Sequence, residues 1–123
     1  MKTYGVELII DIHNCNPSTF TRKSIREYFK FLCDKIDMKP EKLCWWDDQG
    51  IEPDFQQTEP HTKGTTAVQF ILTSNITIHT LDVLRNAYIN IFSCKDFDAE
   101  MAMKFSEEWF KGKVVNSHII ERI

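Results

Sequence analysis

The sequence predicts a two-layer α+β domain in which two helices cover one face of a mainly antiparallel sheet. Short β-branched apolar runs recur along the chain, and two segments instead place apolar residues at intervals of three and four. There is no glycine-rich phosphate loop and no repeated unit, so nothing favours a parallel, doubly wound sheet.

The elements follow in order. Tyr4 to Ile12 is β-branched and apolar, with Leu8, Ile9 and Ile10 consecutive, and it stops at the turn-forming cluster Asn14-Cys15-Asn16-Pro17, which predicts a buried strand. From Thr21 to Ile36 the residues Ile25, Phe29, Leu32, Cys33 and Ile36 recur at helical spacing. Arg22, Arg26, Lys30 and Asp34 occupy the rest of the wheel, as in an amphipathic helix. Leu43 to Trp46 fits a short strand with one of Trp45 and Trp46 facing in and the other out. Asp47 to Lys63 carries glycine, two prolines and no period, and is the longest loop.

Thr65 to Leu72 and Ile76 to Thr80 are strand-like runs joined at Thr73-Ser74-Asn75, which predicts a hairpin or sharp bend. Ala87 to Phe92 is a further apolar run ending at Ser93-Cys94. Asp98 precedes Met101, Ala102, Phe105 and Trp109 at helical spacing, with Gly112 as the stop. Val114 to Ile120 predicts a closing strand. With Phe70, Leu72, Ile91 and Phe92 available to line the second sheet face, dimerisation through that face is the expected way to cover it.

A chain of 123 residues fits a single domain, 1–123, with an elaborate active site calling for a second subunit. Fifteen basic and 18 acidic residues, with no long run of either sign, disfavour nucleic acid and anionic membrane as partners. The first apolar stretch, Val6 to Ile10, is interrupted by Glu7 and stopped by Asp11, unlike a signal peptide or membrane span. Cys15, Cys33, Cys44 and Cys94 form no CxxC pair, so the expectation is a cytoplasmic protein with free thiols, no zinc site and no metal.

Three blocks carry a more specific signal: Gly64-Thr65-Thr66-Ala67-Val68, then Thr73-Ser74-Asn75-Ile76-Thr77-Ile78-His79-Thr80, then Ile91-Phe92-Ser93-Cys94. Taken singly, Thr73-Ser74-Asn75 would be a polar turn, His79 a strand histidine and Cys94 a small buried apolar residue. Jointly, they are similar to the processing region of bacterial and archaeal S-adenosylmethionine decarboxylases, where the pattern is Gly-x-Ser-Gly, Glu-Ser-His-x-x-x-His-Thr and Phe-Thr-Cys. Gly5, Leu8 and Cys15 match the start of that family loosely, and every interval from residue 64 to 94 holds without a gap.

The resemblance implies a divergent pyruvoyl-dependent proenzyme that decarboxylates S-adenosylmethionine for spermidine biosynthesis. Ser74 would be the processing serine, with cleavage between Thr73 and Ser74. Thr66 and His79 would assist processing, and Cys94 would be the catalytic acid. The cofactor would be a pyruvoyl group derived from Ser74. In the family, the serine hydroxyl attacks the preceding carbonyl to form an ester, and a base then removes the α-proton. β-Elimination leaves dehydroalanine, which hydrolyses to pyruvoyl. The ketone condenses with the substrate amine as a Schiff base and takes up the electrons released with carbon dioxide. Imidazole suits the proton abstraction, and a threonine hydroxyl can donate to an oxyanion.

Geometry adds a constraint. Along one extended strand, Thr66 and Ser74 would be about 26 Å apart. In a hairpin centred near residues 72 and 73, positions summing to about 145 lie opposite each other, pairing Thr66 with His79. Ser74 of one chain is therefore expected to meet Thr66 and His79 of a partner, giving a homodimer with two shared sites.

The chain departs from the family pattern in several places. Thr73 replaces the Glu before the serine, and Asn75 the His after it. Leu81-Asp82-Val83 stands for Trp-Pro-Glu, so the ribose-binding Glu becomes Val83. The adenine-stacking aromatic falls near Pro60 by ungapped count, with His61 beside it. These changes keep two alternatives open: a pyruvoyl-dependent decarboxylase of arginine or ornithine, and an uncleaved homologue that binds a small molecule or a partner.

Overall fold

In the computed structural model, which describes residues 3–123, six strands and two helices run β1 (Gly5–His13), α1 (Arg22–Lys35), β2 (Pro40–Trp46), β3 (Gly64–Ile71), β4 (Ser74–Leu81), β5 (Asn86–Ser93), α2 (Ala99–Phe110) and β6 (Lys113–Arg122). The strands form one sheet in the order β2-β3-β4-β5-β1-β6, with every neighbouring pair antiparallel. Short 3-10 turns at Pro17–Phe20 and Pro53–Phe55 interrupt the connections, the second lying inside the long loop. No helix among the described residues is long and apolar enough to cross a membrane.

Strand alternation explains the layering. Leu8, Ile10 and Ile12 of β1, Ile76 and Ile78 of β4, and Ile89 and Ile91 of β5 all point to one face and are buried. Against them pack Ile25, Phe29 and Leu32 of α1 and Ala102 and Phe110 of α2. Each fully buried isoleucine, leucine or phenylalanine contributes roughly 1.5–3 kcal/mol, so this face holds the fold together. A polar pair between the two helices is satisfied inside it. The Ser106 hydroxyl donates to the Ala102 carbonyl at 2.7 Å, so the Tyr28 phenol donates to Ser106 Oγ at 2.6 Å. Burial pushes the Tyr28 pKa upward, keeping the phenol neutral.

Both helices start at side-chain caps. The Thr21 hydroxyl oxygen accepts from the Ser24 amide at 3.1 Å, and the Asp98 carboxylate from the Met101 amide at 3.0 Å. The end of α2 differs from the expected glycine stop. Lys111, not Gly112, takes the left-handed conformation, with φ at 55°. Gly112 is needed for a close approach instead, because a Cβ there would lie 2.6 Å from the His13 carbonyl oxygen.

Three further expectations are corrected. Ile91 is fully buried on the helix-covered face, because its parity matches Ile89 and opposes Phe92; it does not line the second face. Ser74 and Asn75 belong to β4, and the hairpin turn consists of Leu72 and Thr73 alone, since Ile71 already pairs with Ser74. The short strand also begins earlier than expected, at Pro40. Trp45 does face inward, with the guanidinium groups of Arg22 and Arg26 5.3 and 5.5 Å from its ring, while Trp46 faces out.

Candidate active site

The β3–β4 hairpin carries two polar clusters, and the register decides where each lies. Pairing runs from Ile71 with Ser74 at the tip to Gly64 with Leu81 at the base, and it sets Thr66 opposite His79. Thr66 Oγ1 lies 2.7 Å from His79 Nδ1. Gly64 permits this close pairing, because a Cβ there would collide with the Thr80 carbonyl oxygen. Partial burial lowers the His79 pKa, so the imidazole is neutral at pH 7 and able to act as a base.

The same rung continues across the whole second face: Trp46 pairs with Thr66, His79 with Tyr88, Tyr88 with Asp11, and Asp11 with Asn116. The His79 and Tyr88 rings stack at 6.4 Å, and Asn116 donates to Asp11 at 3.0 Å. At the β2 edge the Trp46 indole is 53% exposed, so a flat aromatic face stands open beside Thr66. The sequence marked the Trp45-Trp46 pair, but the 17-residue Asp47 to Lys63 loop hides the register between β2 and β3, so Trp46 could not be placed there beforehand.

The second cluster is at the tip. Ser74 is almost fully buried on the helix-facing side, and its Oγ accepts from the Cys94 amide at 2.9 Å. Cys94 Sγ lies 3.1 Å from Thr73 Oγ1. Hydrogen bonding with the Thr73 and Ser74 hydroxyls lowers the Cys94 pKa from the ordinary thiol value. Thr73, the residue before Ser74, has φ at 54°. A β-branched residue there is strained, at a cost on the order of 1–3 kcal/mol. A cavity of about 430 Å³ opens beside this turn, lined by Met38, Lys39, Leu72, Thr73, Cys94 and Lys95 among others.

Within one chain, then, Ser74 lies with Cys94, and Thr66 with His79. Ser74 and His79 are five residues apart on one strand, about 17 Å, and an odd interval puts them on opposite faces. Val83 is exposed in the β4–β5 turn, and Pro60 and His61 are exposed in the long loop. All four cysteines are free.

Fold and site together define a class: an α+β domain with a buried serine at the tip of its central hairpin and a Thr–His pair at mid-strand. The family model described as S-adenosylmethionine decarboxylase matches residues 6–123, and the chain belongs to that family. It is 30% identical over 95 residues to the S-adenosylmethionine decarboxylase proenzyme of Hydrogenobaculum sp. (strain Y04AAS1), a match covering 77% of this chain and 63% of that relative's length. The fold resembles the crystal structure of the adenosylmethionine decarboxylase from Aquifex aeolicus VF5, with a TM-score of 0.78 at 20% identity over 99% of this chain and 92% of that one.

Proposed function

We propose that this chain is a self-processing proenzyme whose mature form decarboxylates S-adenosylmethionine through a pyruvoyl group made from Ser74, supplying aminopropyl groups for spermidine. The observation that carries this reading is the tip cluster: a buried serine hydroxyl, held by the Cys94 amide, follows a strained Thr73.

Attack of Ser74 Oγ on the Thr73 carbonyl forms a C–O bond and breaks the Thr73–Ser74 C–N bond. The hydroxyl proton passes to the freed amine. Breaking this bond releases the backbone strain at Thr73. Removal of the Ser74 α-proton then expels the Thr73 carboxylate, and water replaces ammonia on the resulting dehydroalanine.

The base and the oxyanion donor come from the other cluster, on a second protomer, because a chain's own His79 is too far from its own Ser74. With His79 Nδ1–H donating to Thr66 Oγ1, Nε2 keeps its lone pair for the α-proton, and the Thr66 hydroxyl proton is free for the oxyanion.

The tip suits a pyruvoyl group, since a thiol and a cavity of about 430 Å³ adjoin it. When formed, the group supplies a ketone that binds the substrate amine and accepts the electrons left by carbon dioxide. Cys94 lies where it can return a proton to carbon. Processing removes the Ser74 hydroxyl and frees Thr73 to move, so the two side-chain hydrogen bonds that lower the Cys94 pKa are lost, which favours the protonated thiol. Trp46 provides an aromatic face at the end of the Thr66–His79 rung, in place of one near Pro60.

Intact mass of the purified protein is the test. Two fragments split between Thr73 and Ser74, absent in Ser74→Ala, are expected, together with carbon dioxide release from carboxyl-labelled S-adenosylmethionine. Release from arginine or ornithine instead would change the substrate. A chain that stays whole on prolonged incubation would leave a non-catalytic binder.

A further inference from the structure

Lys39 and Lys95 flank the cavity that Thr73 enters, and this placement matters because of the charge that self-cleavage creates. Ordinary proteolysis makes one carboxylate and one ammonium. Here the new amino end becomes a neutral ketone and ammonia leaves, so the tip gains one negative charge with no new positive partner. That charge appears on Thr73.

Both lysines line the same cavity as Leu72 and Thr73. The segment carrying Lys39 is tied to the turn, since the Leu72 amide donates to the Lys39 carbonyl at 3.3 Å. Lys95 Nζ donates to the Asp37 carbonyl at 2.6 Å and lies 3.3 Å from the Asp37 carboxylate, whose side chain is fully exposed. Lys39 Nζ is 3.7 Å from the Glu41 carboxylate, also at the surface. Both contacts are exposed surface pairs, which contribute little and exchange easily. An ammonium held by a backbone carbonyl and only loosely by a carboxylate can take a second carboxylate without giving up its anchor.

We infer that the cavity between the Asp37–Lys39 segment, the Leu72–Thr73 turn and the Cys94–Lys95 segment is the seat of the newly formed Thr73 carboxylate, which Lys95 and Lys39 hold after cleavage. Seating the end there pairs the new negative charge with two ammonium groups. It also retains the amino-terminal fragment at its cut end. The inference rests on the proposed cleavage.

Carboxypeptidase digestion of the cleaved protein, followed by the mass of the amino-terminal fragment, tests it. A held carboxylate is a poor carboxypeptidase substrate. Wild-type protein should resist trimming, and the Lys39→Gln, Lys95→Gln double variant should be trimmed at least tenfold faster. The Lys39→Arg, Lys95→Arg variant should behave as wild type, and Asp37→Asn, which removes the carboxylate beside Lys95 but keeps the backbone carbonyl that anchors it, should keep the end protected. The lysine side chains are 76% and 50% exposed, so these variants should fold, and their extent of cleavage should match wild type. Cleaved wild-type protein trimmed as fast as the double Gln variant overturns this seat and leaves the decarboxylase reading intact. A chain that never cleaves overturns both.

Discussion

The tip and the middle of the β3–β4 hairpin differ in chemistry although they share two strands. At the tip, strain and burial converge on one peptide bond: Thr73 is left-handed, Ser74 is buried, and Cys94 bonds to both. At mid-strand the backbone is regular, and what is special is a Thr–His pair on the open face. In the proposed processing, one region would carry the bond to be broken and the other the proton acceptor, about 17 Å away on the opposite face of the strand. The proposed processing therefore calls for a two-fold partner to bring the two regions together.

The largest expected effect comes from Ser74→Ala, which should abolish cleavage completely by intact mass. Mixing Ser74→Ala chains with His79→Ala chains tests the division directly. In a shared site, hybrid dimers rebuild one good site from the two defective chains, restoring on the order of a quarter of wild-type cleavage on random mixing. No restoration would mean that both groups act within one chain.

His79→Ala alone should slow cleavage roughly 10²–10⁴-fold, the range of a lost general base. The rate should also fall on acidification, with a midpoint below the ordinary histidine value of 6.5, because burial depresses the His79 pKa. The sign for stability is the same. The folded state disfavours the protonated ring, so stability rises as pH climbs towards the unfolded pKa and is lost as pH falls.

Ile78→Ala separates stability from chemistry. It lies beside His79 but faces the helices, so it should cost about 2–5 kcal/mol in denaturant unfolding and spare cleavage in the protein that remains folded. Trp46→Ala should give the smallest effect: cleavage unchanged, with KM for substrate raised several-fold and kcat nearly constant, as for loss of an aromatic contact of about 0.5–1.5 kcal/mol.

Much of this was legible in the sequence. β-Branched apolar runs marked the strands, three-four spacing set the helices, and Thr21 and Asp98 marked where the helices begin. The pairing of Thr66 with His79 followed from the hairpin alone, because a short turn between two adjacent strands leaves little freedom of register. Ser74 was placed in the turn instead of at the start of β4, since polar residues resemble a bend until a pairing partner is known. Ile91 was misassigned because an apolar run shows no alternation from which to read a face.

Local periodicity and short-range pairing, which depend on residues close in the chain, were determined by the sequence itself. Only the tertiary structure decided what depends on distant segments. It set Trp46 in the rung of Thr66 across a long loop, and it gathered Lys39, Thr73 and Lys95 around one cavity from three separate loops. It also gave Lys111 the left-handed turn so that Gly112 could approach His13. Such contacts follow from how the sheet closes in space, which no spacing along the chain records.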